Sequence, residues 1–292
     1  MMNKHILAIA TCLATLVTPV LAADFRVEEA TIPEIELAFS NHRLSCHQLV
    51  QTYLDRIAAY NKQGPKLNAV LTLSGSALAA ADHLDAAFAQ GGAVGPLHCI
   101  PVVLKDNYNT ADLPTTGGSL SLEGAQPDKD AFVVARLRAA GAIVLAKTNM
   151  HEFALSGTTV SSLGGQTLNP YDLTRTPGGS SGGTGVAVAS NLAMAGTGSD
   201  TVNSIRSPSS ANALVGVRPT HGLLSLNGIM PVSSTQDAIG PLARHVVDAA
   251  AMLQAMAAAD PADPQTADHP HQDYLAGLDA DALKGNGSAC CA

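Results

Sequence analysis

Hydrophobic and polar positions recur along this chain at two different periods. Leu49, Val50, Tyr53, Leu54 and Ile57 fall on one face of a helix, and Ser45 with Gln48 three residues on forms the capping box that starts it. An earlier helix opens at Thr31, with Pro33 in its first turn and Glu34 completing a similar box. A polar stretch over 62–66 gives way to 67–73, which reads as a strand, and 74–90 is an alanine-rich helix ended by Gly91-Gly92. Residues 100–104 make a short apolar strand, 130–140 a helix with Gly141 at its C′ position, and 142–146 the next strand. Residues 186–190 are helical, 192–195 are apolar enough for a buried strand, and 243–257 form another helix. Strands alternating with helices predict an α/β fold with a mixed, mostly parallel twisted sheet covered by helices on both faces.

Composition narrows the class. The chain has 292 residues, 46% hydrophobic and only 14% charged, which suits a sizeable buried core and excludes intrinsic disorder. The formal charge of −8 is scattered, with no basic stripe, so nucleic acid is not an expected partner. No histidine pair has a short metal-ligand spacing, and His269 and His271 sit in an acidic, loop-like stretch; neither metal nor organic cofactor is expected.

Residues 1–22 read as an export signal. Lys4 supplies the positive start, 6–20 is apolar, and Val20-Leu21-Ala22 has the small-x-small pattern of a cleavage site. A membrane anchor is the competing reading, and Pro19 with Ala22-Ala23 favours cleavage. The mature chain then begins near Ala23, periplasmic or secreted, without stable membrane association. Cys12 leaves with the signal and Cys290 and Cys291 lie in the tail, so Cys46 and Cys99 remain in the body. Export permits a disulfide between them, but two buried free thiols are the expectation.

Three segments carry candidate chemistry. The strand at 100–104 runs into Lys105-Asp106-Asn107; Gly178-Gly179-Ser180-Ser181-Gly182-Gly183 follows Thr176-Pro177; and Gly198-Ser199-Asp200-Thr201-Val202-Asn203-Ser204-Ile205-Arg206 follows a further apolar run. Each has a plain reading alone. Lys105 is then an ordinary charge at a strand end and Ser204 a turn serine. The Gly/Ser run is a linker or a phosphate loop, although it lacks the Gly-Lys-Ser/Thr ending of a P-loop.

Taken together, these segments resemble the amidase signature family. The resemblance spans about 32–283 and includes Lys147-Thr148-Asn149-Met150, Asn169-Pro170, Val217-Arg218-Pro219-Thr220, His221-Gly222-Leu223, Gln236-Asp237 and Gly240-Pro241. Spacing matches as well, with 75 positions from Lys105 to Ser180 and 24 from Ser180 to Ser204. The resemblance implies a carboxamide hydrolase working through a serine acyl-enzyme. Ser204 would attack, Ser180 on a cis peptide bond would relay the proton, and Lys105 would be the base. It implies oxyanion donors from the backbone of Thr201, Val202 and Asn203, and substrate contacts near Met150, Ser156 and Gly157. His151 has a site or a structural role open to it. A lysine base must be neutral, so its pKa has to fall by roughly three units, about 4 kcal/mol of preference, and burial pushes that way. Asp106 opposes the shift unless its side chain turns away. Val202 and Asn203 stand where the family has glycines, which demands a loop conformation open to L-residues.

The family's continuation past Leu283-Lys284-Gly285 is a strand, whereas 286–292 is a different tail. One coding of that tail, read in another frame, restores Arg-Ile-Gly-Val-Leu-Arg. The expected organisation is therefore a signal at 1–22, an amidase domain over 23–285 that is incomplete at its C-terminus, and a frameshifted tail at 286–292. A small amide or peptide amide is the expected substrate. An inactive, truncated remnant is the alternative, and a phosphate-binding module a weak third.

Overall fold

The computed structural model describes residues 25–267, 272–279, 281 and 284. The export signal, Cys12, His269, His271, Cys290, Cys291 and the 286–292 tail lie outside them.

Two capped helices open the chain, α1 (Ile32–Ser40) and α2 (Cys46–Tyr60). Both boxes are formed: Thr31 Oγ1 accepts from the Glu34 N–H while Thr31 N donates to Glu34 Oε2, and Ser45 and Gln48 repeat the exchange. Leu49, Val50, Tyr53 and Ile57 are buried along one stripe of α2. Then follow β1 (Val70–Leu73), α3 (Ala77–Gly91), β2 (Pro101–Lys105), α4 (Phe132–Ala139) and β3 (Ile143–Thr148). A two-stranded hairpin, β4 (Val160–Ser161) with β5 (Gly165–Gln166), leads to α5 (Gly182–Ala189) and β6 (Ala195–Asp200). α6 (Arg206–Ala211), β7 (Val215–Gly216), β8 (Ala238–Ala243) and α7 (Val246–Met256) complete the order.

The main sheet has six strands in the order β1-β3-β2-β6-β8-β7. β3, β2 and β6 are parallel neighbours, β1 and β8 run against them, and β7 against β8. Four strands thus share one direction, which makes the sheet mixed and mostly parallel. Helices cover it on both faces: α5 packs across β2, β3, β6 and β8, α2 and α3 pack on β2 and β3, and α7 lies on β8 and β6. The central strands β2, β3, β6 and β8 are buried from end to end. No described helix is long and apolar enough to cross a membrane.

Three expectations need correction. The apolar run 192–194 is buried connection rather than strand, and the strand proper is the weakly hydrophobic Ala195–Asp200. Its glycines fit there because the neighbours are close; a Cβ at Gly196 would press on Thr184 and Val103. The helix expected from Ala243 begins at Val246, because Ala243 ends β8, a strand that Gly240-Pro241 disguised. Cys46 and Cys99 are joined as a disulfide instead of being free thiols. Cys46 opens α2 and Cys99 sits just ahead of β2, and packing α2 against β2 brings their Cα atoms to 5.4 Å, within disulfide range.

Candidate active site

Lys105 is the last residue of β2 and is fully buried. Side chains alternate along a strand, so Lys105 and Asp106 part company. Lys105 Nζ meets Ser180 Oγ at 2.7 Å, Ser199 Oγ at 2.8 Å and the Ser199 carbonyl at 3.3 Å. Asp106 points instead to Lys147, at 3.4 Å, and accepts from the Thr116 hydroxyl and the N–H groups of Thr116 and Gly118. The carboxylate beside the amine in sequence is thereby neutralised elsewhere. Burial pushes Lys105 down from 10.5 to about 7, and the more distant Asp200 and Asp237 only partly offset it.

Ser180 is held by the glycine-rich run. The Gly179-Ser180 peptide is cis, and the Ser180 carbonyl accepts from His151 N at 3.0 Å. Gly183, one residue into α5, lies so close to the neighbouring backbone that a Cβ there would collide with the Asn149 carbonyl oxygen. The run is therefore a tight turn into a buried helix, which rules out the linker reading. Thr159 Oγ1 donates to the Gly178 carbonyl at 2.8 Å and accepts from Gly182 N at 3.1 Å, closing the loop from the other side.

Ser204 stands just ahead of α6 and is 9% exposed. Asp200, at the end of β6, accepts from Ile205 N at 2.9 Å and from Arg206 N at 3.3 Å, and its other oxygen faces Arg218 Nε at 3.4 Å. Burial alone would raise the Asp200 carboxyl; the N–H donors and the Arg206 guanidinium outweigh it and hold the group below its ordinary value. Gly178 packs directly on Ser207 and Pro208, so the glycine-rich run and the start of α6 are in contact. No hydrogen bond joins Ser180 to Ser204 among the described residues.

The segment before Ser204 avoids the strain its sequence threatened, since neither Val202 nor Asn203 has a positive φ. Val202 is 71% exposed. Among the described residues, the N–H groups of Thr201, Val202, Asn203 and Ser204 donate to no protein acceptor. Thr201 Oγ1 donates to Asp237, which also accepts from Val232 N and Ser233 N at 2.8 and 3.0 Å. Of the remaining candidates, Gly157 lies against Gly179 and Ser156 is exposed, while Met150 is fully buried beneath Gly118. His151 acts through its backbone; its ring Nδ1 sits 3.3 Å from both Thr158 Oγ1 and Val160 N, and burial lowers its pKa.

Sequence reasoning named Ser199 and Asn107 only as members of their segments. The structure puts Ser199 against Lys105 and Asn107 behind Ser199: Lys105 Nζ lies 2.8 Å from Ser199 Oγ, and Asn107 Nδ2 donates to the same oxygen at 3.0 Å. Their signal was position, one residue before Asp200 and two after Lys105. Among the described residues, the cluster with metal-ligating atoms close together is Cys46, His98 and Cys99. Its sulfurs are paired with each other, which removes the thiolates a metal would need.

A profile of the Amidase family matches residues 48–284. Among curated relatives, a glutamyl-tRNA(Gln) amidotransferase subunit from Acidothermus cellulolyticus is 43% identical over 247 residues, covering 84% of this chain and 48% of that protein. Among solved structures, the peptide amidase of Stenotrophomonas maltophilia superposes with a TM-score of 0.86 at 46% identity, covering 88% of this chain and 54% of that one. An amidase family protein from Bacillus anthracis gives a TM-score of 0.85 at 36% identity, over 89% of this chain and 53% of its own. The chain thus spans about half the length of the relatives it matches. The matching profile, the shared fold and the identities over most of its length establish that the chain belongs to the Amidase family.

Proposed function

We propose that the chain hydrolyses a carboxamide through an acyl-enzyme on Ser204. Neutral Lys105 takes the Ser180 proton as Ser180 takes that of Ser204, and the Ser204 oxygen adds to the amide carbon. The backbone N–H groups of Thr201, Val202 and Asn203 receive the developing oxyanion. The proton returns along the same path to the leaving nitrogen, the C–N bond breaks, and water releases the acid by the reverse sequence. The observation that carries this reading is a fully buried lysine amine 2.7 Å from a serine hydroxyl, with no carboxylate in contact among the described residues and a pKa brought to about 7. No residue role here requires a metal or organic cofactor. A peptide-like amide is the favoured substrate class, supported by the 46% identity to a peptide amidase. Residues 1–22 would direct the chain out of the cytoplasm and be removed; the mass of the mature N-terminus tests this.

The functional test is labelling by a fluorophosphonate probe, with ammonia release from peptide amides measured alongside. Labelling is expected in the parent chain and absent in Ser204→Ala and Lys105→Met. Labelling that survives Ser204→Ala overturns the reading. Labelling without ammonia release from any amide supports the second reading, an amidase fold that does not turn over.

A further inference from the structure

Protonated Lys105 has three N–H bonds and three oxygen neighbours, one for each: Ser180 Oγ, Ser199 Oγ and the Ser199 carbonyl. The neutral amine has two N–H bonds and one lone pair. It can take a proton from Ser180 only when that lone pair faces Ser180. The Ser199 carbonyl can only accept, so it holds one N–H. The Ser199 hydroxyl can accept or donate, and donation to Lys105 would fill the lone pair and block the base.

Asn107 decides between the two. It is 1% exposed, its Nδ2 lies 3.0 Å from Ser199 Oγ, and its Oδ1 is buried without a partner. A half-turn about the terminal amide torsion, which is broad and two-fold, exchanges the two ends. Oδ1 then accepts the Ser199 proton, and Ser199 Oγ is left to accept from Lys105. We propose that Ser199, with its hydroxyl proton taken by Asn107, is a positioning residue that occupies two N–H bonds of Lys105 and turns the lone pair towards Ser180. The proposal rests on the amidase reading above, in which Lys105 is the base.

Other charges around the amine stay in place when Ser199 is changed. Asp200 at the end of β6 and Asp237 ahead of β8 act on Lys105 from a distance, Arg206 and Arg218 pair with Asp200, and Lys147 on β3 pairs with Asp106. An effect of Ser199 on Lys105 is therefore separable from theirs.

The test follows the Lys105 titration by NMR in the full chain carrying ¹³C-lysine, with the resonance assigned by Lys105→Met. Ser199→Ala is expected to move the titration to lower pH by about one unit, because the ammonium loses a charge-assisted hydrogen bond. Asn107→Ala should move it the same way by less, and Ser199→Thr, which keeps the hydroxyl, should restore it. An unmoved titration in Ser199→Ala, or a shift that Ser199→Thr does not reverse, overturns the proposal. Fluorophosphonate labelling is read in the same samples and should slow roughly 10- to 100-fold in Ser199→Ala. A parent chain that titrates as expected yet never labels upholds the positioning and sinks the amidase reading. A parent chain that labels while Ser199→Ala titrates unchanged sinks the positioning alone.

Discussion

Two lysines on neighbouring strands of one sheet are equally hidden from water and kept in opposite company. Lys147 on β3 has a carboxylate at 3.4 Å, the Tyr108 and Pro114 carbonyls at 2.7 and 3.0 Å, and the Thr115 hydroxyl at 2.8 Å. Lys105 on β2 has two serine residues and, among the described residues, no carboxylate in contact. Burial lowers both, Lys147 to about 8 and Lys105 to about 7. The surroundings of Lys147 fit an ammonium, which acts as a structural strut. Those of Lys105 fit an amine that gains and loses a proton. A buried lysine becomes a base less by being buried than by being denied a partner.

The largest effect that would sharpen this contrast is on reactivity. Lys105→Met should cut fluorophosphonate labelling by about three orders of magnitude; it breaks no ion pair and removes the cost of burying an amine, so stability in urea near neutral pH should be kept or gained. Lys147→Met should do the reverse. It leaves the Asp106 carboxylate buried and uncompensated, for an expected loss of about 3–5 kcal/mol in urea unfolding; equal stability losses in the two variants would erase the distinction.

The pH dependence comes next. Between about 7 and 10.5 the unfolded chain protonates Lys105 and the folded chain does not, and for Lys147 the interval runs from about 8. The unfolded state binds more protons there, so stability rises with pH across this window and is lowest, from these groups, below about 7. Lys105→Met should remove the part of the rise that begins near 7, which urea midpoints from about pH 6 to pH 9 would show. Labelling should gain over the same range as the amine becomes neutral. The smallest expected effect is Thr116→Val, which deletes one donor to Asp106 and should cost about 1–2 kcal/mol by urea unfolding with labelling preserved.

Local signals were readable wherever the structure obeys local rules. The capping boxes at Thr31 and Ser45 and the stripe on α2 are decided by residues within a turn or two of each other. Gly141 likewise ends α4 with φ +93, as its position after the helix predicts. Ala195–Asp200 and Ala238–Ala243 were hidden because small residues, glycines and Pro241 become strands only through their neighbours across the sheet. The site divides similarly. Lys105 and Ser180, 75 residues apart, were joined by resemblance and are placed in contact by the fold. The Ser199–Asn107 contact and the Cys46–Cys99 link, with sequence separations of 92 and 53, are made by the fold, and nothing local in the sequence pairs their members.

The two walls of the site differ in how much change they tolerate. On one side the glycine-rich turn is wedged so tightly that Gly183 has no room for a methyl group. On the other, the segment tied down by His151 N and Thr159 bulges outward between those anchors. Phe153 and Ala154 there hold left-handed backbone angles, and Leu155 is 73% exposed. A saturation library over both walls should return almost nothing but glycine from the first. Variants with altered labelling should come from the second, so tolerance to substitution along the chain would itself draw the outline of the site.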